Sequence, residues 1–387
     1  MKSPVQKIGI VGANRYSVPL VQWVLLKGYP VVWLERDFES LETHLADFRN
    51  GIESSLQSGK MTHLMKDAVL DLLSGTTQFA DLVGCNLVME MTPDDLEEKR
   101  DVARQLESVL SADAWIGVSL ETLTVSQLAS YLRSPDRLFG VRPIGLPPRT
   151  LEGLEILSGL KTNREAVQAA SDFARMLELF PAVSSEGPGG VVNRLLARGF
   201  AEALDQAGGD FLFLSRLDTE LHRRGWETLP GATMEKIGER NVQRLLAFFH
   251  RFYGKAFPGG KESDARLHSG FLDRKGMGSQ SIRNVSDLAD QWILSLTNEC
   301  VQIVSEGVSS WETVDNLSRL TFGLRWEKGG LLEWGGDRGW SVVLTGVWAL
   351  SAQTEGRIWP SALLQLKGIS ERSVPEEPPF SARRGGD

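Results

Sequence analysis

A short apolar run, Lys7-Ile8-Gly9-Ile10-Val11, ends in the string Gly12-Ala13-Asn14-Arg15-Tyr16-Ser17. A helix-like stretch over residues 18–27, Gly28 and a second apolar run, Val31 to Leu34, follow, and the next residue is Glu35. Strand, glycine turn, helix, strand and a closing acid form the order that receives a dinucleotide. The turn brings backbone N–H groups to the diphosphate, and the acid takes the ribose hydroxyls. The fingerprint uses three glycines: for the tight turn, for close approach of the phosphates, and for packing helix against strand. Here only Gly12 is kept. Asn14 tolerates left-handed backbone and Ser17 is small, so a nucleotide is not forbidden, although Asn14 adds bulk where the phosphates come nearest. Pro19 falls in or just past the first helical turn, where a missing N–H matters less than later. A plain strand–helix turn is the other reading of this string.

Other chemistry-bearing residues are sparse. Cys85 and Cys300 are far apart, with no CxxC and no Cys/His cluster, so they read as buried thiols and no metal site is expected. The five histidines are His44, His63, His222, His250 and His268, which leaves residues 64 to 221 without one. A formal charge of -8 argues against nucleic acid or an anionic membrane as the main partner. No apolar run reaches transmembrane length and no secretory h-region opens the chain, so a cytoplasmic protein without a membrane span is expected.

The elements that must position these residues continue the opening pattern. A long amphipathic segment runs from Leu41 to Leu73, followed by the strand Asn86 to Glu90, a helix from Leu96 to Leu110 and the strand Trp115 to Ser119. Arg137 to Arg142 and Gly153 to Leu157 read as further strands, with Pro143, Pro147 and Pro148 breaking the connection. After Glu186-Gly187-Pro188-Gly189-Gly190 the pattern turns to long helices. There Asn193, Glu202 and Asp218 recur as Asp290, Glu299 and Asp315, each 97 positions on (193 to 290, 202 to 299, 218 to 315). The expected fold is an α/β Rossmann-type domain over 1–186, then an all-α region of two related units, 187–285 and 286–372. A Gly- and Ser-rich connector spans 254–284, and a Pro-rich tail over 373–387 is expected to be disordered.

Five segments in order, KIGIVGANRYS, KGYPVVWLE, FADLVGCNLVMEMTPDDLEEK, GPGGVVNRLLARGFAEAL and GLRWEKGGLLEW, resemble successive parts of 3-hydroxyacyl-CoA dehydrogenases. The likeness runs over roughly residues 6 to 366, and the doubled helical unit is most similar to the dehydrogenase half of multifunctional fatty-acid-oxidation enzymes. The resemblance implies NAD as cofactor, a CoA thioester as ligand, a homodimer through the helical domain and a thiolase-like partner. It places Glu35 on the ribose, and Asp94 and Lys99 on residues that contact NAD. Lys60 matches a lysine near the CoA phosphate and Lys275 a late cofactor-side lysine. Lys60 and Lys275 read equally well as solvated surface charges.

The family reaction removes a hydroxyl proton while hydride leaves for nicotinamide, and the resemblance implies a histidine base oriented by a glutamate. In Phe139-Gly140-Val141-Arg142-Pro143 the histidine position holds Arg142, and a guanidinium cannot take up that proton. The substrate-positioning serine falls on Glu121, with Thr122 beside it, and the asparagine beyond the histidine falls on Gly145. Glu155 matches the orienting glutamate after a one-residue insertion. Asn193 matches the second asparagine, and the 38 positions between them (155 to 193) equal the family spacing. Glu155 also reads as an ion-pair partner of Arg142, and Asn193 as a helix cap. Three functions follow from the resemblance. One is a catalytically impaired protein that binds acyl-CoA, nucleotide or a protein partner. Another is an active NAD-dependent dehydrogenase with a rearranged site. The third is an acyl-CoA enzyme of changed chemistry, with Arg142 as carboxylate clamp or electrophile.

Overall fold

The computed structural model describes residues 6–145, 151–208, 211–257, 284–325 and 329–373. Lys275, most of the expected connector and the tail beyond 373 lie outside them. Eight strands form one sheet in the order β3-β2-β1-β4-β5-β6-β7-β8. They are β1 (Ile8–Val11), β2 (Val31–Leu34), β3 (Leu73–Thr76), β4 (Leu87–Glu90), β5 (Trp115–Ser119), β6 (Leu138–Ile144), β7 (Gly153–Ser158) and β8 (Phe180–Ser185). Neighbours run parallel except β6 and β7, which are antiparallel. β1, β2 and β4 are buried along their whole length, as strands covered on both faces by helices must be. The chain departs from β1 in opposite directions across the sheet, toward β2 and later to β4. That switch point opens a crevice at the carboxyl ends of the strands.

Six helices pack on the sheet: α1 (Ser17–Leu26), α2 (Phe38–Gln57), α3 (His63–Asp71), α4 (Leu96–Val109), α5 (Val125–Ala129) and α6 (Arg164–Met176). The amphipathic segment from 41 to 73 is divided. α2 stops at Ser58, Gly59 takes a φ of +72°, and Thr62 caps α3 by accepting from the Met65 N–H. Leu73 opens the half-exposed β3, whose sequence LSGT carries no apolar pattern. β8 and α6 are additions to the elements expected from the sequence.

The rest is helical: α7 (Gly190–Ala207), α8 (Phe211–Arg223), α9 (Pro230–Ile237), α10 (Glu239–Tyr253), α11 (Val285–Ser305), α12 (Trp311–Phe322), α13 (Leu331–Arg338), α14 (Trp340–Gln353) and α15 (Ala362–Ser373). α7 is buried on nearly every side and packs along α11. Between them Arg194 and Arg198 both bind Glu299, at 2.5 and 2.7 Å, while Arg357 binds Glu202. Asp218 on α8 accepts from the Gly231 and Ala232 N–H groups at the start of α9. Asp315 on α12 accepts from Gly330, Leu332 and Glu333 at the start of α13. Residues 97 positions apart thus satisfy the orphan N–H groups of corresponding helices.

Candidate functional site

At the carboxyl end of β1, Gly12 has a φ of +74°, and a Cβ there would lie 2.6 Å from Thr92 Cγ2. Only glycine fits. Asn14 secures the next turn with its side chain. Its Oδ1 accepts from the Tyr16 N–H at 2.9 Å, its Nδ2 donates to Ser119 Oγ at 3.3 Å, and its backbone N–H donates to Ser17 Oγ at 2.9 Å. Ser17 is fully buried at the start of α1. Arg15 crosses the crevice to Glu121, Nη2 to Oε1 at 2.7 Å. Two side-chain bridges therefore join the first turn of the domain to the end of β5.

Glu35 ends β2 nearly buried, and its Oε1 accepts from Trp33 Nε1 at 3.1 Å and meets His44 Nδ1 at 2.9 Å. Burial raises its pKa and the His44 contact opposes that rise. Asp94 spends both carboxylate oxygens on the loop after β5. Oδ1 accepts from the Glu121 N–H at 3.1 Å, and Oδ2 from the Thr122 N–H at 2.7 Å and hydroxyl at 2.5 Å. Lys99, expected on the cofactor side, instead has no exposed surface. Its Nζ donates to Glu90 Oε2 at 2.7 Å and to the Thr92 carbonyl at 3.0 Å. A buried ammonium needs a counter-charge, and Glu90, whose own pKa burial raises, sits beneath the strand end to supply it. Lys60 is exposed beyond the end of α2. Among the described residues, no group of three or more His, Cys, Asp or Glu could hold a metal ion, and both cysteines are buried, Cys85 with its thiol pushed up to about 11 by burial.

Arg142 and Glu155 face each other because the antiparallel register of β6 and β7 pairs those two positions. Arg142 Nη1 lies 3.3 Å from Glu155 Oε2 and donates to the Gly189 carbonyl at 2.9 Å, while Nη2 donates to the Leu120 carbonyl. Glu155 is fully buried and accepts from the Val191 and Val192 N–H groups, at 2.6 and 3.3 Å, in the first turn of α7. Burial pushes its pKa up. Arg142 and the two backbone donors act against that. A carboxylate there also suits the positive end of α7. Gly190 is required at this approach, since a Cβ would fall 2.7 Å from Glu155 Oε1. Asn193, one turn into α7, donates from Nδ2 to the Glu121 carbonyl at 2.8 Å.

The structure thus gathers Asn14, Ser17, Asp94, Glu121, Thr122, Arg142, Glu155 and Asn193 around one crevice beside Gly12. Lys99 lies beneath it, and Lys60 and Glu35 are outside that network. Sequence reasoning did not single out Arg15, Ser119 or the carbonyls of Leu120 and Gly189. Arg15 carried a readable signal, because it and Glu121 are charges of opposite sign in the turn and in the serine position. Carbonyl partners carry none.

Fold and site together define a dinucleotide-binding-type α/β domain joined to a helical region. Residues 7–186 match the family model described as 3-hydroxyacyl-CoA dehydrogenase, NAD binding domain. The match covers the α/β domain, and over that domain the chain is similar to 3-hydroxyacyl-CoA dehydrogenases. It is 25% identical over 198 residues to a 3-hydroxybutyryl-CoA dehydrogenase of Clostridioides difficile, covering 51% of this chain and 70% of that protein. It is 25% identical over 237 residues to the fatty acid oxidation complex subunit alpha of Pseudomonas savastanoi pv. phaseolicola, covering 60% of this chain and 32% of that protein. The crystal structure of 3-hydroxybutyryl-CoA dehydrogenase from Escherichia coli K12 superposes with a TM-score of 0.81 at 16% identity, over 96% of this chain and all of that one. The dehydrogenase part of multifunctional enzyme 1 from C. elegans gives a TM-score of 0.60 at 17% identity, over 94% and 90% of the two chains. No helix among the described residues is long and apolar enough to cross a membrane.

Proposed function

We propose that this chain is a catalytically impaired member of its family, which holds an adenine nucleotide or acyl-CoA without carrying out hydride transfer at an ordinary rate. The observation that carries this reading is the position of Arg142. Its guanidinium, at the position that the resemblance gives to the family base, is bonded to Glu155 and to the carbonyls of Leu120 and Gly189. It joins β6, β7, the loop after β5 and the start of α7, and it cannot accept a substrate proton.

The residues present fit one end of NAD and not the other. At the adenosine end, Gly12 keeps the positive φ and the close approach, and Glu35 meets Trp33 and His44 through Oε1, with Oε2 turned to the task of holding a ribose hydroxyl in this reading. At the reacting end, Asp94 is committed to the loop, Lys99 is buried, and Glu121 replaces a small hydroxyl with a carboxylate. Bound NAD would supply the hydride acceptor, but none of these residues removes the hydroxyl proton. Glu155 is a poor substitute base, since Val191, Val192 and Arg142 occupy its two oxygens and it has no exposed surface. Arg142 is equally unsuited to polarise a substrate carbonyl while two backbone carbonyls hold it. The oxidoreductase and fatty-acid-oxidation relatives suggest acyl-CoA as the second ligand, with Asn193 at its reacting end.

The test is equilibrium binding of NADH and acetoacetyl-CoA, followed by a single-turnover absorbance trace. Binding with reduction at least about 100-fold slower than in an ordinary relative is expected, the loss typical of a missing base. Ordinary turnover by the unmodified protein would overturn the reading.

A further inference from the structure

The ion pair across the crevice belongs to neither the family fingerprint nor the Arg142 cluster. Arg15 sits inside the first turn, between Asn14, whose side chain is held by the Tyr16 N–H and Ser119, and Tyr16, whose ring lies 5.1 Å from its guanidinium. Its partner Glu121 is fixed through its backbone. Its N–H is on Asp94 Oδ1 at 3.1 Å and its carbonyl on Asn193 Nδ2 at 2.8 Å. Only the two side chains need to rotate for the bridge to part. They are 33% and 39% exposed, unlike the sealed pairs of Lys99 with Glu90 and Arg142 with Glu155.

We propose that Arg15 and Glu121 form a charge latch over the nucleotide crevice, in which the diphosphate of an adenine nucleotide competes with the Glu121 carboxylate for the Arg15 guanidinium. The inference rests on the proposal that this crevice holds a nucleotide. Two features of the turn argue for it. Asn14 keeps a diphosphate from the close backbone contact that a glycine would allow, and a guanidinium on the next residue reaches anionic oxygens from further out. In its present pairing the guanidinium is neutralised, and a second carboxylate, Asp94 on the loop after β4, is bonded to the Glu121 N–H. A ligand without phosphate therefore gains nothing by entering, whereas a diphosphate exchanges a weak exposed pair for a forked contact with two anionic groups.

Isothermal titration with ADP and with NADH, with adenosine as the phosphate-free control, tests the latch on the full chain. Glu121→Gln should tighten ADP about two- to fivefold, the range of an exposed ion pair, and Arg15→Gln should weaken it at least about tenfold. Adenosine should respond to neither. In the double variant the Glu121→Gln gain should disappear, because the carboxylate then has no guanidinium to withhold. A gain of equal size with and without Arg15 would mean simple repulsion and would overturn the latch. Equal ADP affinity in all four proteins would overturn it too, while leaving nucleotide binding intact. Absence of nucleotide binding in every protein would overturn the latch together with the nucleotide-binding part of the proposed function. The source of the diphosphate is read from which of NADH and coenzyme A displaces ADP.

Discussion

Replacing Arg142 with methionine keeps most of its bulk and removes its charge. Glu155 would then be a carboxylate with no exposed surface, left with the Val191 and Val192 N–H groups and the Ser184 side chain. Removing one partner of a buried pair costs about 3–5 kcal/mol. The Arg142–Glu155 contact of 3.3 Å is longer than a good charge-assisted bond, which argues for the lower end. The carbonyls of Leu120 and Gly189 lose a donor as well, which brings the expected total back to about 4 kcal/mol. The sign of the pH dependence follows from the direction of the Glu155 shift. Burial holds that carboxyl above its ordinary value in the folded protein. Such a group favours the folded state below its unfolded pKa, and the benefit is lost as pH rises through the folded pKa. Arg142→Met removes the charge that opposes the rise, so the deficit should be smallest near and below the ordinary glutamate value of about 4.3 and grow upward from there. Urea unfolding midpoints from pH 4 to 8, converted with an unchanged m-value, measure this. Glu155→Gln in the Arg142→Met background should recover part of the loss, because the neutral amide can still accept from Val191. A deficit below about 1 kcal/mol, or one flat with pH, or strict additivity of the two substitutions, would refute the reasoning.

Restoring only the base should do little: Arg142→His is expected to raise acetoacetyl-CoA reduction less than the combination with Glu121→Ser and Asn14→Gly, as read from steady-state rates at saturating NADH. Gly12→Ala should cost at least about 1 kcal/mol and abolish nucleotide binding in titration, since its φ of +74° and the 2.6 Å approach to Thr92 both exclude a Cβ. Burial would raise the Glu299 pKa, but Arg198 and Arg194 more than offset it and hold the carboxyl below its ordinary range. Its contribution to stability is therefore present above the unfolded pKa and lost as pH falls through the folded one, so Glu299→Gln should flatten the acid limb of the unfolding profile. Asp315→Ala should destabilise more than Asp218→Ala in thermal unfolding, because Asp315 satisfies three backbone N–H groups and Asp218 two.

The β1–α1–β2 opening was legible because its signals are local. An apolar run of strand length, a glycine at the turn and Glu35 at the strand end lie within a few residues of one another, and each follows from backbone geometry. The absence of a histidine between 64 and 221, with arginine in the base position, was equally plain, since residue identity needs no structure. The division of the segment from 41 to 73 was less so, because Gly59 and Thr62 interrupt an apolar period that otherwise runs on to Leu73, and β3 itself carries no apolar pattern. Tertiary structure alone decided what the substituted residues do. Arg142 meets Glu155 through an antiparallel register, and its other partners are carbonyls 22 and 47 positions away, which have no side-chain identity to read. Lys99 and Asp94 look alike in sequence as crevice charges. One is sealed under the end of β4 and the other braces the loop after β5, because the depth at which a side chain sits is set by the layers packed around it, and those come from distant parts of the chain.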